Sequence, residues 1–283
     1  MLEDVVQDLV RRALAEDLGG YGDITSAWTV PADLRSRAHV VAREELVLCG
    51  LPLAEAVMAA VDPGCVFSAQ VADGAALVER DVAAIVEGPV RSLLTAERTM
   101  LNFLSHLSGV ATQARRFARA VEDTGAVVVD TRKTTPGLRY WEKRAVVHGG
   151  CGNHRFGLFD LALIKNNHLT AAGGVREAVR RAQEARPHYI RIEVEVESEA
   201  DLREAIAAGA DIIMLDNQTP DSLRALAAVA RSLKPDILLE ASGGVTMETV
   251  RAVAETGVDI ISTSAITMGA PSANLSLTLL PPV

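Results

Sequence analysis

The chain has 283 residues, 49% of them hydrophobic and 4% aromatic, which suits one large or two ordinary domains with cores of Val, Leu, Ile and Ala. Its formal net charge of -9 argues against the basic face of a nucleic-acid binder but leaves room for a local cationic cleft. No apolar run approaches a membrane span, and the acidic start M-L-E-D-V-V-Q-D-L lacks the regions of a signal peptide. Cys49, Cys65 and Cys151 lie far apart and make no disulfide framework. A soluble cytoplasmic protein with reduced thiols is expected.

The first third reads as a mixed α+β unit. Leu2, Val5, Val6, Leu9, Val10, Ala13 and Leu14 recur at helical spacing, and Gly19-Gly20 ends that helix. The segment E-D-L-G-G-Y-G-D-I-T-S then turns, with Asp23, Thr25 and Ser26 able to bond local backbone. Short β-like runs follow at 38–43, 65–71, 76–79 and 83–87, interrupted by a helix over 53–61. A long helix begins near Arg91.

From Ala111 the rhythm changes to helices alternating with short apolar strands, at 127–130, 161–165, 190–196, 212–216, 237–240 and 259–263. Helix starts are signalled by Ser198 with Asp201 and by Thr219 before Pro220; Gly209 and Gly257 mark helix ends. Such alternation predicts parallel strands with helical crossovers. Polar residues end every strand, which favours a (β/α) barrel over a doubly wound open sheet, where they gather at one switch point. The expected division is 1–110, with 270–283 packing back on it, and 111–269.

Chemistry concentrates between Val127 and His168. Arg132 and Lys133 follow a strand ending in Asp130; His154 and Arg155 lie on the loops beyond; Lys165 ends the next strand. Arg139 and Lys143 fall on a helix, and Arg144 is left to solvent. So many cations at strand ends, with few acids between them, predict a pocket for a small polyanion, because guanidinium grips carboxylate bidentately and ammonium acts as a compact charge. Glu193, Glu195 and Glu197 alternate along one strand and face one way. Asp216 ends the next strand. Ser242-Gly243-Gly244, after a strand and before a helix, offers bare amides to a phosphate. Ser262, Thr263 and Ser264 end the last strand and complete that cup.

The phrases D-T-R-K-T-T-P-G-L-R, E-K-x-A-V, N-H-R-x-G-L-x-D and L-I-K-x-N-H resemble those of the quinolinate phosphoribosyltransferases. The resemblance covers nearly the whole chain and is most specific between Asp130 and His168. It implies an α/β fold: an N-terminal α+β sandwich and a C-terminal incomplete (β/α) barrel of the type II phosphoribosyltransferase kind. It implies a pentosyltransferase, nicotinate-nucleotide diphosphorylase (carboxylating). Such an enzyme moves phosphoribosyl from 5-phosphoribosyl 1-diphosphate to quinolinate, giving nicotinate mononucleotide, diphosphate and CO2 in de novo NAD biosynthesis. By this likeness Arg132, His154, Arg155 and Lys165 bind quinolinate, joined by Arg98 of T-A-E-R-T-M-L-N from the second copy of a homodimer. Lys133 and the residues of the phosphate cup take the donor, and Glu195 and Asp216 serve Mg2+ and the ribose. Two departures stand out: Ser264, near which the family commonly has glycine, and Asn166, where an acid is usual. Asn167 and His168 are expected to orient the loop.

Three other readings compete: a paralogue of the same fold, such as the molybdenum-transport-associated proteins, taking another acceptor; a non-catalytic anion sensor; and an aldolase-like barrel with Lys165 as Schiff base. The full N-H-R-F-G-L-F-D followed by L-I-K-N-N-H favours quinolinate. A sensor leaves the paired carboxylates unexplained, and an aldolase leaves the cations around Lys165 unexplained.

Overall fold

The structure, a computed structural model, describes residues 2–281. In chain order its elements are α1 (Leu2–Leu18), α2 (Ile24–Thr29), β1 (Arg35–Ala42), β2 (Leu46–Val47), α3 (Leu51–Val61), β3 (Val66–Ala69), β4 (Ala76–Leu77), β5 (Val82–Pro89) and α4 (Val90–Val121). There follow β6 (Val127–Val129), α5 (Arg139–Gly149), β7 (Ala162–Ile164), α6 (Asn166–Ala172), α7 (Val175–Ala185), β8 (Ile192–Val196) and α8 (Glu199–Ala207). The chain closes with β9 (Ile212–Asp216), α9 (Pro220–Leu233), β10 (Leu238–Ser242), α10 (Val250–Ala254), β11 (Ile260–Ser262) and β12 (Leu275–Leu279).

Two compact units divide these elements. The first holds 1–115, 136–149 and 270–283; the second holds 116–135 and 150–269. The first unit is built on an antiparallel sheet in the order β12-β1-β5-β3. β1 shows why: Ser36, Ala38 and Val40 are buried while Arg35 and Arg37 are exposed, the period-2 pattern of a half-buried strand. The terminal segment forms a strand beside β1, with Val40 opposite Leu277. It approaches α4 so closely that a Cβ on Gly109 would stand 2.1 Å from the Pro271 carbonyl oxygen, so only glycine fits there. Met1, Pro282 and Val283 lie outside the described residues.

Local differences from the sequence reading have simple causes. The segment after Gly22 is a six-residue helix, α2, rather than an open turn, because the Asp23 carboxylate accepts from the Ser26 amide at 2.9 Å and caps it. The long helix α4 runs 32 residues and crosses the expected boundary at 110–111 without interruption. The segment with α5, expected in the second domain, groups with the first unit. There Glu142, buried, meets His106 Nε2 at 2.8 Å.

The second unit carries six parallel strands in the order β6-β11-β10-β9-β8-β7. β6 and β7 stand at opposite edges and do not pair, so the barrel is incomplete. Ser198 caps α8 by accepting from the Asp201 amide, and Thr219 caps α9 with Pro220 at its first position. Every residue of β8 is buried. Ile192, Val194 and Val196 occupy one face and Glu193 and Glu195 the other. A strand that buries acids inside the sheet's curve needs polar company there, and that company makes the site.

Candidate active site

The C-terminal ends of the second unit's strands enclose a cleft of about 620 Å3. Arg132, Lys133, His154, Arg155, Lys165, Glu195, Asp216, Ser242, Gly243, Gly244 and Ser262, all named from the sequence, line it. A contiguous cleft of about 310 Å3 is walled by Thr131, Lys133, Ser242–Thr246 and Ser262–Ala265. A larger groove of about 950 Å3 lies between α1 and α3 in the first unit, but Val10, Leu14 and alanines dominate it. Size does not select the site; converging charge does.

Arg155 holds the decisive strain. Its guanidinium donates to the Leu161 carbonyl at 3.1 Å, while among the described residues its buried Nε–H has no partner. Burial, and then the neighbouring Arg132 charge, lowers its pKa. Two guanidinium groups pressed together with a donor unspent are prepared for an anion. In the same cleft Lys165 pairs with Glu195. Asp216 is raised above the usual carboxylate range by burial and then by the Glu195 charge. These mutually repelling carboxylates would be relieved by a divalent cation.

The glycines form the phosphate side. Gly243 has φ +93°, and a Cβ there would lie 2.3 Å from Asn217 Oδ1, so the backbone passes against Asn217. Gly244, at φ +63°, has nothing within 4 Å of such an atom and opens to the cleft. Lys133 is fixed through its backbone: its amide donates to Thr131 Oγ1 at 3.0 Å, and its carbonyl accepts from the Thr267 hydroxyl at 2.8 Å.

Two residues stand differently from expectation. The Thr263 hydroxyl is committed to backbone, donating to the Val245 carbonyl at 2.8 Å and accepting from the Ala265 amide at 3.1 Å. It shapes the cup instead of offering a free donor. His154 lines the cleft, but both ring nitrogens are occupied. Nε2 lies 3.1 Å from Glu193 and 3.3 Å from Glu240, and Nδ1 accepts from the Arg155 amide at 2.7 Å. Burial pulls the His154 pKa down, but hydrogen bonds to Glu193 and Glu240 raise it to about 9. Glu193 itself is pushed up to about 7, chiefly by burial. The two buried carboxylates thus favour the charged form of the imidazole between them, while burial favours a protonated carboxyl at Glu193.

The sequence reading missed Glu240, Asn217 and Thr131. Glu240 was legible as a lone acid within the apolar run I-L-L-E-A; Asn217, at φ +52°, carried no signal beyond following Asp216. Arg98 sits in the first unit, exposed on α4 and, among the described residues, without an ion pair. His168 orients its loop as expected, its Nδ1 accepting from the Lys165 amide at 2.9 Å. Asn166 donates to Glu197, which is exposed and outside the cleft lining.

Residues 110–278 match the model of the quinolinate phosphoribosyl transferase C-terminal domain, and 23–108 that of its N-terminal domain. The chain belongs to the quinolinate phosphoribosyltransferase family. Among its relatives is a nicotinate-nucleotide pyrophosphorylase (carboxylating) of Mycobacterium leprae, 42% identical over 93% of each chain. A quinolinate phosphoribosyltransferase (decarboxylating) of Nicotiana tabacum is 36% identical over 96% of this chain and 81% of that one. The solved nicotinate-nucleotide pyrophosphorylase from Francisella tularensis superposes with a TM-score of 0.92 at 40% identity, covering 98% of this chain and 96% of that one. As a quinolinate phosphoribosyltransferase family member the chain is an enzyme of the phosphoribosyltransferase class, and no helix among the described residues is long and apolar enough to cross a membrane.

Proposed function

We propose that the cleft joins quinolinate to phosphoribosyl from 5-phosphoribosyl 1-diphosphate and decarboxylates the product, yielding nicotinate mononucleotide, diphosphate and CO2. The observation that carries this reading is one cleft lined both by the neighbouring guanidinium groups of Arg132 and Arg155 and by the open Ser242–Gly244 turn. The two carboxylates of quinolinate answer the first, and the 5′-phosphate of the donor answers the second.

Arg132, Arg155 and Lys165 pin the acceptor, with Arg98 contributed by the second subunit of a homodimer. Holding the ring nitrogen against the ribose carbon supplies the orientational part of catalysis. The nitrogen lone pair forms the new bond to that carbon while diphosphate leaves with the old bonding pair. Glu195 stabilises the positive charge that develops on the sugar. The quaternised ring nitrogen then draws in the electrons released as the adjacent carboxylate departs as CO2. The ring carbon left behind takes up one proton. His154 acts by fixing the wall beside Arg155. Lys133, Ser242, Ser262 and Ser264 serve the donor's phosphates.

Magnesium fits the oxygen donors of Glu195 and Asp216, the latter raised by burial and then by the Glu195 charge. Bound there, it would neutralise the departing diphosphate. The reading places the reaction in the cytoplasm.

The test is diphosphate release with 5-phosphoribosyl 1-diphosphate and magnesium, given either quinolinate or nicotinate, with CO2 followed in parallel. Turnover with quinolinate alone, one CO2 per diphosphate, is expected. Equal turnover with nicotinate, or binding without release, would overturn the assignment.

A further inference from the structure

A second cluster of metal-type donors lies in the first unit. Cys49 sits between β2 and α3, Asp73 in the turn before β4, and His148 in the last turn of α5. Their sulfur, carboxylate oxygen and imidazole nitrogen all lie within 4.8 Å of one another. We propose that Cys49, Asp73 and His148 form a binding site for a borderline divalent transition metal, zinc above all, that staples these three segments together.

The donors are held in place from behind. Asp73 Oδ1 accepts from the amides of Gly50 and Leu51, at 3.0 and 3.1 Å, which aims the carboxylate and leaves its second oxygen for a ligand. Ser108 pins Cys49 on both sides, its hydroxyl accepting from the Cys49 amide at 3.0 Å and lying 3.2 Å from the Cys49 carbonyl. Arg115 holds the carbonyl of His148 at 3.1 Å. The His148 ring lies against Gly74, where a Cβ would come 3.1 Å from Nδ1. Such outer contacts orient metal ligands and set affinity. Among the described residues no hydrogen bond joins the three side chains to one another, and the imidazole of His148 makes none at all.

The donor set selects the ion. Thiolate, imidazole and carboxylate suit zinc, whereas magnesium takes oxygen ligands. Zinc bonds of about 2.0 to 2.3 Å in a tetrahedron put donors roughly 3.5 Å apart, a closure that small side-chain rotations provide. Three protein ligands leave a fourth position for water. Without a cation Cys49 stays a thiol, its pKa pushed up to about 12 by burial, with Asp73 adding to the rise and Arg144 opposing it. Coordination therefore forms the metal–sulfur bond and releases the thiol proton to solvent, one per ion bound.

Cobalt is the probe, because a thiolate–cobalt charge-transfer band reports sulfur ligation and ignores the carboxylates of the active site. The untagged full chain, stripped with chelator, is titrated with Co2+ and then with Zn2+. The wild type should give a band that saturates at one ion per chain and is displaced by zinc, and zinc should raise its Tm. Cys49→Ser, shown folded by circular dichroism, should lose the band although Cys65 and Cys151 remain. His148→Gln and Asp73→Asn should each weaken binding at least about 10-fold and lose the zinc-dependent rise in Tm. No band in the wild type, or a band that survives Cys49→Ser, would overturn the proposal. Should Cys49→Ser not fold, unchanged affinity in both other variants would overturn it equally.

Discussion

In the first unit His106 and Glu142 make a balanced pair: one imidazole, 30% exposed, against one buried carboxylate at 2.8 Å. In the second unit His154, 9% exposed, faces two buried glutamates, each of which keeps an oxygen without a partner among the described residues. The first arrangement satisfies a polar group and asks for nothing more. The second sets two buried carboxylates on one imidazole close to Arg155, whose Nε has no partner among the described residues. Folding alone would select against such a layout, since buried charge is costly unless paired. Its persistence at strand ends marks the place where the chain serves chemistry rather than stability.

Perturbing the two regions should separate activity from stability. The largest effect is expected from Arg132→Ala, which removes one of the converging guanidinium groups. Two charge-assisted hydrogen bonds lost amount to about 3 kcal/mol, or roughly 100-fold in kcat/KM for quinolinate. The loss should appear mainly in KM, with circular dichroism and Tm unchanged. Kinetics equal to wild type would remove Arg132 from the acceptor site.

A smaller and pH-dependent effect belongs to the buried cluster. Its folded-state proton affinity lies above the ordinary values, Glu193 at about 7 against 4.5 and His154 at about 9 against 6.5. The folded protein therefore holds more protons than the unfolded chain, and stability falls as pH rises. The contribution is whole below the ordinary values and is lost as pH climbs through about 7 to about 9. Thermal melts across that range should show a decline of about 1 to 3 kcal/mol, and Glu240→Gln should flatten it. A wild-type Tm that rises over the same interval would reverse the protonation assignment.

The smallest effect on activity should come from His106→Ala. Losing one hydrogen bond to a buried carboxylate costs about 1 to 3 kcal/mol, read as a Tm lowered by several degrees at every pH, with kinetic constants retained. A loss of activity with stability intact would place His106 in the chemistry and erase the contrast between the two regions.

The alternation of strands and helices in the second unit was legible because each crossover needs an apolar strand and a capped helix, and Ser198, Thr219 and Gly209 mark those caps in the local sequence. The cations at strand ends were legible for the same reason: parallel strands of a barrel present their C-terminal ends to one face. The commitments of individual atoms were not. Thr263 looks like a free hydroxyl until the Val245 carbonyl and Ala265 amide reach it from the adjoining backbone. His154 looks like a ligand for anions until β8 and β10 deliver Glu193 and Glu240 to its Nε2.

By itself the sequence determined the fold, the family and the set of charged residues that meet, because periodicity, caps and motif spacing are local properties of the chain. Only the tertiary structure decided which of those groups remain available. Partners such as Glu240, or the Asp73 and His148 that converge on Cys49, come from segments far apart in the chain, and their distances exist only once the strands have paired and the helices have packed.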